Sequence, residues 1–83
     1  MKLAKHVKFR EEKFGGVLFE TRSEKVYTLN PTAAAVVREI EAACAEADIA
    51  ARLKERFESD DGAIEREVSA FIAELRSKGL AED

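Results

Sequence analysis

Tryptophan is absent, and proline, cysteine, histidine, tyrosine and methionine occur once each in the 83 residues. Each scarcity closes off a class of protein. The single cysteine, Cys44, cannot close a disulfide within the chain, and the expected compartment is the cytoplasm. One cysteine and one histidine, His6, cannot supply the four ligands of a structural zinc site. With one proline and four glycines, the chain has no linker, repeat or low-complexity segment. No apolar run reaches the roughly eighteen residues of a membrane-spanning helix. The N-terminus, Met1-Lys2-Leu3-Ala4-Lys5-His6, lacks the apolar core of a secretory signal. No membrane partner is expected.

What is present is a globular composition, 46% hydrophobic and 37% charged. The length is that of one domain, residues 1–83. Net charge is −3, unevenly spread: residues 1–30 are basic, and residues 31–83 hold the acidic excess. An acidic whole lacks the concentrated positive surface that phosphate neutralisation needs, so nucleic acid is not the expected partner.

No catalytic constellation is visible. His6 lies on the polar side of a strand with no partner in view. Cys44 follows Ile40 by four residues on an apolar helix stripe and reads as a packing thiol. Asp60-Asp61-Gly62 lacks the alternating oxygen ligands of a calcium loop. Gly15-Gly16 leads into a strand and not a helix N-terminus, so it cradles no phosphate. Glu65, Glu67 and Glu74 read as a solvated helix face. The expectation is a binding protein, not an enzyme, with no metal and no cofactor.

The chain is organised around Lys25 to Val37. Val26, Tyr27 and Thr28 suit a pleated, half-buried strand. Asn30 and Pro31 then suit the cap and first position of a helix. Ala33, Val36, Val37 and Ile40 recur at helical spacing. Upstream, His6 to Arg10 and Val17 to Thr21 alternate as strands, with Gly15-Gly16 supplying a turn or bulge. Short links make the three strands an antiparallel meander. Its expected inner face is Val7, Phe9, Val17, Phe19, Tyr27 and Leu29. Helices follow: Pro31 to about Ala43; Glu46 to Phe57 with Ile49, Leu53 and Phe57 on one stripe; and Ala63 to Lys78 with Ile64, Val68, Phe71, Ile72 and Leu75 on one face. The break between the first two is weakly marked, since Cys44-Ala45-Glu46-Ala47 holds no Gly, Pro or Asn. Ser59-Asp60-Asp61-Gly62 reads as a loop with a capping acid. Gly79 reads as the residue just past the last helix, with Leu80 folding back. The fold class is α+β, with a three-stranded antiparallel sheet followed by three α-helices.

Phe14-Gly15-Gly16-Val17-Leu18-Phe19, and Val26-Tyr27-Thr28-Leu29-Asn30-Pro31-Thr32-Ala33-Ala34 at the strand-to-helix junction, resemble the PqqD-like peptide chaperones, also called RiPP recognition elements. Ile49-Ala50-Ala51-Arg52-Leu53, Val68-Ser69-Ala70-Phe71-Ile72, Leu75 and Gly79-Leu80 extend the likeness over about residues 6 to 80. One departure falls between the first two helices. Relatives place an Asp-Gly turn and a Thr where this chain has Ala42-Ala43-Cys44-Ala45-Glu46.

The resemblance implies a winged-helix-like domain without activity of its own. Such domains bind the leader of a ribosomally made precursor peptide and present it to a modifying enzyme; in relatives with this Phe-Gly-Gly pattern that enzyme is typically a radical SAM maturase with a SPASM-type extension. The protein is then expected to be a monomer. The leader would add as a strand beside the third strand, along Lys25, Val26, Tyr27 and Thr28. A free strand edge offers the unpaired backbone groups that such pairing needs. The resemblance puts the third helix beside that edge, and Val68, Ser69, Ile72 and Arg76 are its expected wall, with plain core packing the alternative for Val68 and Ile72. Two other readings stand beside this one. A DNA-binding winged helix would use Arg52, Lys54 and Arg56 of the second helix. A general protein-interaction module would need neither a leader nor a maturase.

Overall fold

A computed structural model describes residues 1–43, 45–57 and 62–82. Its elements run β1 (Lys2–Leu3), β2 (Val7–Glu12), β3 (Gly15–Glu20), β4 (Lys25–Leu29), α1 (Pro31–Glu41), α2 (Glu46–Arg56), α3 (Ala63–Ser77) and β5 (Ala81–Glu82). The expected meander is β2-β3-β4, antiparallel in that order, and the three expected helices follow it. A second, two-stranded sheet pairs β1 with β5, Lys2 opposite Glu82 and Leu3 opposite Ala81. Two-residue strands carry no periodicity, so the pattern gives no sign of this pair.

The meander is tighter than expected. Glu12 pairs with Gly15, so the turn is Lys13-Phe14, and both glycines lie within β3. They are there for close approach. A Cβ on Gly15 would stand 2.2 Å from the Leu29 carbonyl oxygen, and one on Gly16 2.6 Å from the Phe9 ring. Gly16 therefore faces inward with Phe9, which sets the phase of the whole strand. Leu18, opposite both Phe9 and Tyr27, is fully buried. Val17 and Phe19 point the other way, contrary to expectation, and Phe19 is 39% exposed. The run Val17-Leu18-Phe19 is apolar throughout, so either phase satisfies alternation.

α1 is the centre of the molecule. The Asn30 side chain accepts the Ala33 N–H at 2.8 Å, and Pro31 opens the helix without losing a useful donor. Ala34, Ala35, Val36, Val37 and Ile40 are buried, and the helix touches β1, β3, β4, α2 and α3. Small alanines let those neighbours approach. Glu39 is buried with them, and its carboxylate receives the Arg52 guanidinium at 2.8 Å. α1 ends at Glu41 with Ala42 as its C-cap, and Ala43 turns the chain in a left-handed conformation, φ 62°. Cys44 and the expected loop residues Ser59, Asp60 and Asp61, with their capping acid, lie outside the described residues. Gly62, φ 68°, occupies the N-cap of α3.

α2 buries Ile49 and Leu53, with Phe57 half-buried at its end. α3 buries Ile64, Val68, Ile72 and Leu75. It ends at Gly79, φ 71°, where the Leu80 N–H bonds the Leu75 carbonyl at 2.8 Å and the Gly79 N–H bonds that of Arg76 at 3.1 Å. This paired closure folds Leu80 back onto the helix, and Leu80 is buried. Among the described residues, no helix is long and apolar enough to cross a membrane.

Candidate peptide-binding groove

β2-β3-β4 has two outer edges, and they differ in chemistry. β2 carries Lys8, Arg10, Glu11 and Glu12, the kind of charge density that deters a further strand. β4 carries only Lys25 among Val26, Tyr27, Thr28 and Leu29. Among the described residues, no strand pairs with the outer side of β4. Alternate residues there direct N–H and C=O groups away from β3.

Beside that edge runs a groove of about 460 Å³ between β4 and the C-terminal half of α3. Its floor is apolar: Leu18, Leu29, Leu75 and Leu80, all buried. Val26, Tyr27 and Thr28 form one wall, and Phe71, Glu74 and Lys78 form the other. Asn30 and Ala33 close one end, so the strand-to-helix junction is part of the site. Lys25 is exposed at the start of β4, off the groove lining.

Lys78 reaches across the groove. Its ammonium donates to Glu74 at 2.8 Å and stands 4.9 Å from the centroid of the Tyr27 ring. The Glu74 hydrogen bond, chiefly, holds the lysine pKa above its ordinary value. The contact with Tyr27 joins helix to strand as a cation–π pair.

The four residues expected as the helix wall do not face β4. Val68, Ser69, Ile72 and Arg76 line a separate cleft of about 730 Å³ between α2 and α3, with Glu46, Ala47 and Ala50 opposite. Val68 and Ile72 are core, and the Arg76 guanidinium forks onto the Glu46 carboxylate. The structure thus brings Val26, Tyr27 and Thr28 together with α3, but not with these four residues. At about 100° per residue, Phe71, Glu74 and Lys78 fall on one flank of the buried stripe and Ile72, Arg76 and Ser69 on the other. The pattern marks both flanks without saying which faces β4. Phe71, an aromatic at the margin of its stripe, marks the flank that lines the β4 groove.

Other candidate groups contact neighbouring side chains. The His6 ring lies 3.3 Å from the Arg22 guanidinium and 3.8 Å from Glu20 at the open end of the first hairpin. Of the basic residues on α2, Arg52 is paired with Glu39, and Lys54 with Glu65 at 2.7 Å. That Lys54 hydrogen bond holds the Glu65 carboxyl below its usual range.

A winged-helix-like α+β fold with a strand edge open beside its last helix defines the structural class. The chain belongs to the PqqD family: the family described as coenzyme PQQ synthesis protein D matches residues 15–81. Among curated proteins, none matches the chain significantly. Two solved structures share the fold from end to end. A lasso peptide synthetase B1 complexed with the leader peptide is 28% identical, TM-score 0.82, over 99% of this chain and 96% of that one. TbiB1 in complex with the TbiA(beta) leader peptide is 19% identical, TM-score 0.84, over the whole of both chains.

Proposed function

We propose that this protein binds the leader segment of a ribosomally made precursor peptide and presents it to a modifying enzyme, performing no chemistry itself. The observation that carries this reading is the pairing of an open, nearly uncharged β4 edge with the apolar-floored groove against α3. An extended peptide laid along β4 would gain main-chain hydrogen bonds from the edge and side-chain contacts from the groove. Fold-level likeness to leader-bound proteins supports the same reading. The enzyme served is, on the family resemblance, a radical SAM maturase with a SPASM-type extension. The likeness to a lasso peptide synthetase B1 favours a second class, the lasso peptide maturation enzymes. Gene neighbourhood separates the two.

The DNA-binding reading fares worse on this geometry, because Arg52 and Lys54 are already paired with carboxylates and no row of unpaired cations lines α2 among the described residues. A salt series of nucleic-acid binding checks this, since phosphate-driven binding weakens steeply with salt.

The direct test is NMR shift mapping of the labelled protein with the leader of the precursor encoded beside its gene. Perturbed amides are expected at residues 25–29 and at Phe71, Glu74 and Lys78. Perturbation confined to the α2–α3 cleft around Ser69, Ile72 and Arg76, with residues 25–29 untouched, would sink the placement.

A further inference from the structure

The groove accounts for only one face of a bound strand. In a sheet, cross-strand partners share a face and successive residues alternate. The register therefore sorts the sheet into rows. Tyr27, Leu18 and Phe9 form a row on the helix side. Val26, Phe19 and Lys8 form a row on the open side, and Thr28, Val17 and Arg10 form the next. No helix covers this open side among the described residues, yet it is not polar. Val26 is 56% exposed and Phe19 39%, an apolar pair at the β4 end of a row that begins with a lysine. Val26 also lines the groove, so the open face and the groove meet at the β4 edge.

From this, and resting on the leader-binding reading, we infer that the bound peptide is read on both faces, and that Val26 with Phe19 forms an outer subsite for one of its outward-facing side chains. A residue added opposite Tyr27 faces Phe71 and Lys78. Its neighbour, opposite Val26, faces away from the helix and extends the row Lys8–Phe19–Val26. This holds for parallel or antiparallel addition, because both preserve the pleat. The occupant is an apolar side chain, β-branched or aromatic, which covers Val26 and the adjoining edge of Phe19. Cross-strand pairs of that kind are among the favourable ones. The residue opposite Thr28 sits beside Val17 and Arg10, where a polar side chain is accommodated. The recognised segment is thus a strand-forming stretch with apolar side chains on both faces. Recognition through the groove alone would leave every second residue free to vary.

The experiment selects peptides from a displayed library of random 12-residue sequences against the full chain. NMR of the labelled protein then locates each selected peptide, and contacts to the Val26 methyls and the Phe19 ring identify its outward residue. Val26→Thr is the paired variant. Threonine keeps the β-branched shape, and Val26 is exposed, so the fold is preserved. Replacing the peptide's outward apolar residue by threonine is expected to weaken binding roughly fivefold on the native chain and less than twofold on Val26→Thr. Equal losses on both proteins, or none on either, from a peptide bound along residues 25–29 would overturn the outer subsite and leave leader binding along β4 standing. Peptides that leave residues 25–29 unperturbed would overturn that underlying reading, and the subsite with it.

Discussion

Ala43 holds a left-handed backbone, φ 62°, at a helix end where glycine is the usual occupant. An L-residue there carries a steric cost of about 1–2 kcal/mol, part of which glycine gives back through its more disordered unfolded chain. Ala43→Gly is therefore expected to stabilise the protein by about 0.5–1 kcal/mol, read as a higher denaturant midpoint with unchanged slope. Gly16 stands at the opposite extreme. Gly16→Ala forces a methyl to within 2.6 Å of the Phe9 ring and is expected to destabilise by about 1–3 kcal/mol. Both effects depend on φ or on a neighbour distant in sequence, so neither could be read from residue type. The pH response is equally local. The Ser23 hydroxyl, 2.6 Å from the Glu20 carboxylate, is the main cause of a Glu20 pKa below the usual range, and the Arg22 N–H adds at 2.8 Å. A folded pKa lower than the unfolded one gives stability that is present at neutral pH and lost as pH falls through the folded value. Ser23→Ala should flatten that acid-side slope without moving the plateau near pH 7 by more than the loss of the hydrogen bond, as a denaturation series from pH 7 to pH 3 would register.

Apart from the short β1–β5 pair, secondary elements were the legible part of the sequence. The switch from alternation to helical spacing at Asn30 falls where β4 gives way to α1, and the stripes Ile49–Leu53 and Ile64–Val68–Leu75 are the buried ones. Orientation was not legible. The phase of β3 depended on which of two glycines approaches Phe9, and the flank of α3 facing β4 depended on how α3 packs against α1 and α2. Two substitutions on α3 turn that distinction into a measurement. Phe71→Ala removes an apolar wall of the β4 groove and is expected to weaken leader binding about tenfold. Arg76→Ala opens its ion pair with Glu46 in the other cleft and is expected to change leader affinity less than twofold. Isothermal titration of both variants decides it, and the reverse order would return the site to the α2–α3 side. Ile72→Asp, by contrast, places a charge in the core and reports on folding alone.

At the scale of the whole molecule, charge and architecture divide together. The sheet half is basic and the helical half acidic, and the ion pairs that join them include Arg38 of α1 with Glu11 of β2 at 2.7 Å and Lys2 of β1 with Glu82 of β5 at 3.8 Å. Such exposed pairs contribute little each, so the joint rests on the apolar surface of α1. The contact with the longest reach is the small sheet of β1 and β5, which closes a loop of nearly the full chain. Closing a loop of roughly 80 residues costs about 3 kcal/mol more than closing the four-residue turn between β3 and β4. That contact is thus disfavoured early, and it adds only a few residues of burial, Ala4 and Ala81 among them. Its consequence is kinetic. The strand pair should form after the rate-limiting step, so weakening it changes how fast the native state is lost and not how fast it is reached. In stopped-flow chevrons, Ala81→Gly is expected to raise the unfolding arm severalfold while the refolding arm stays superimposed on that of the native chain. A slowed refolding arm would place this distant pairing inside the folding nucleus.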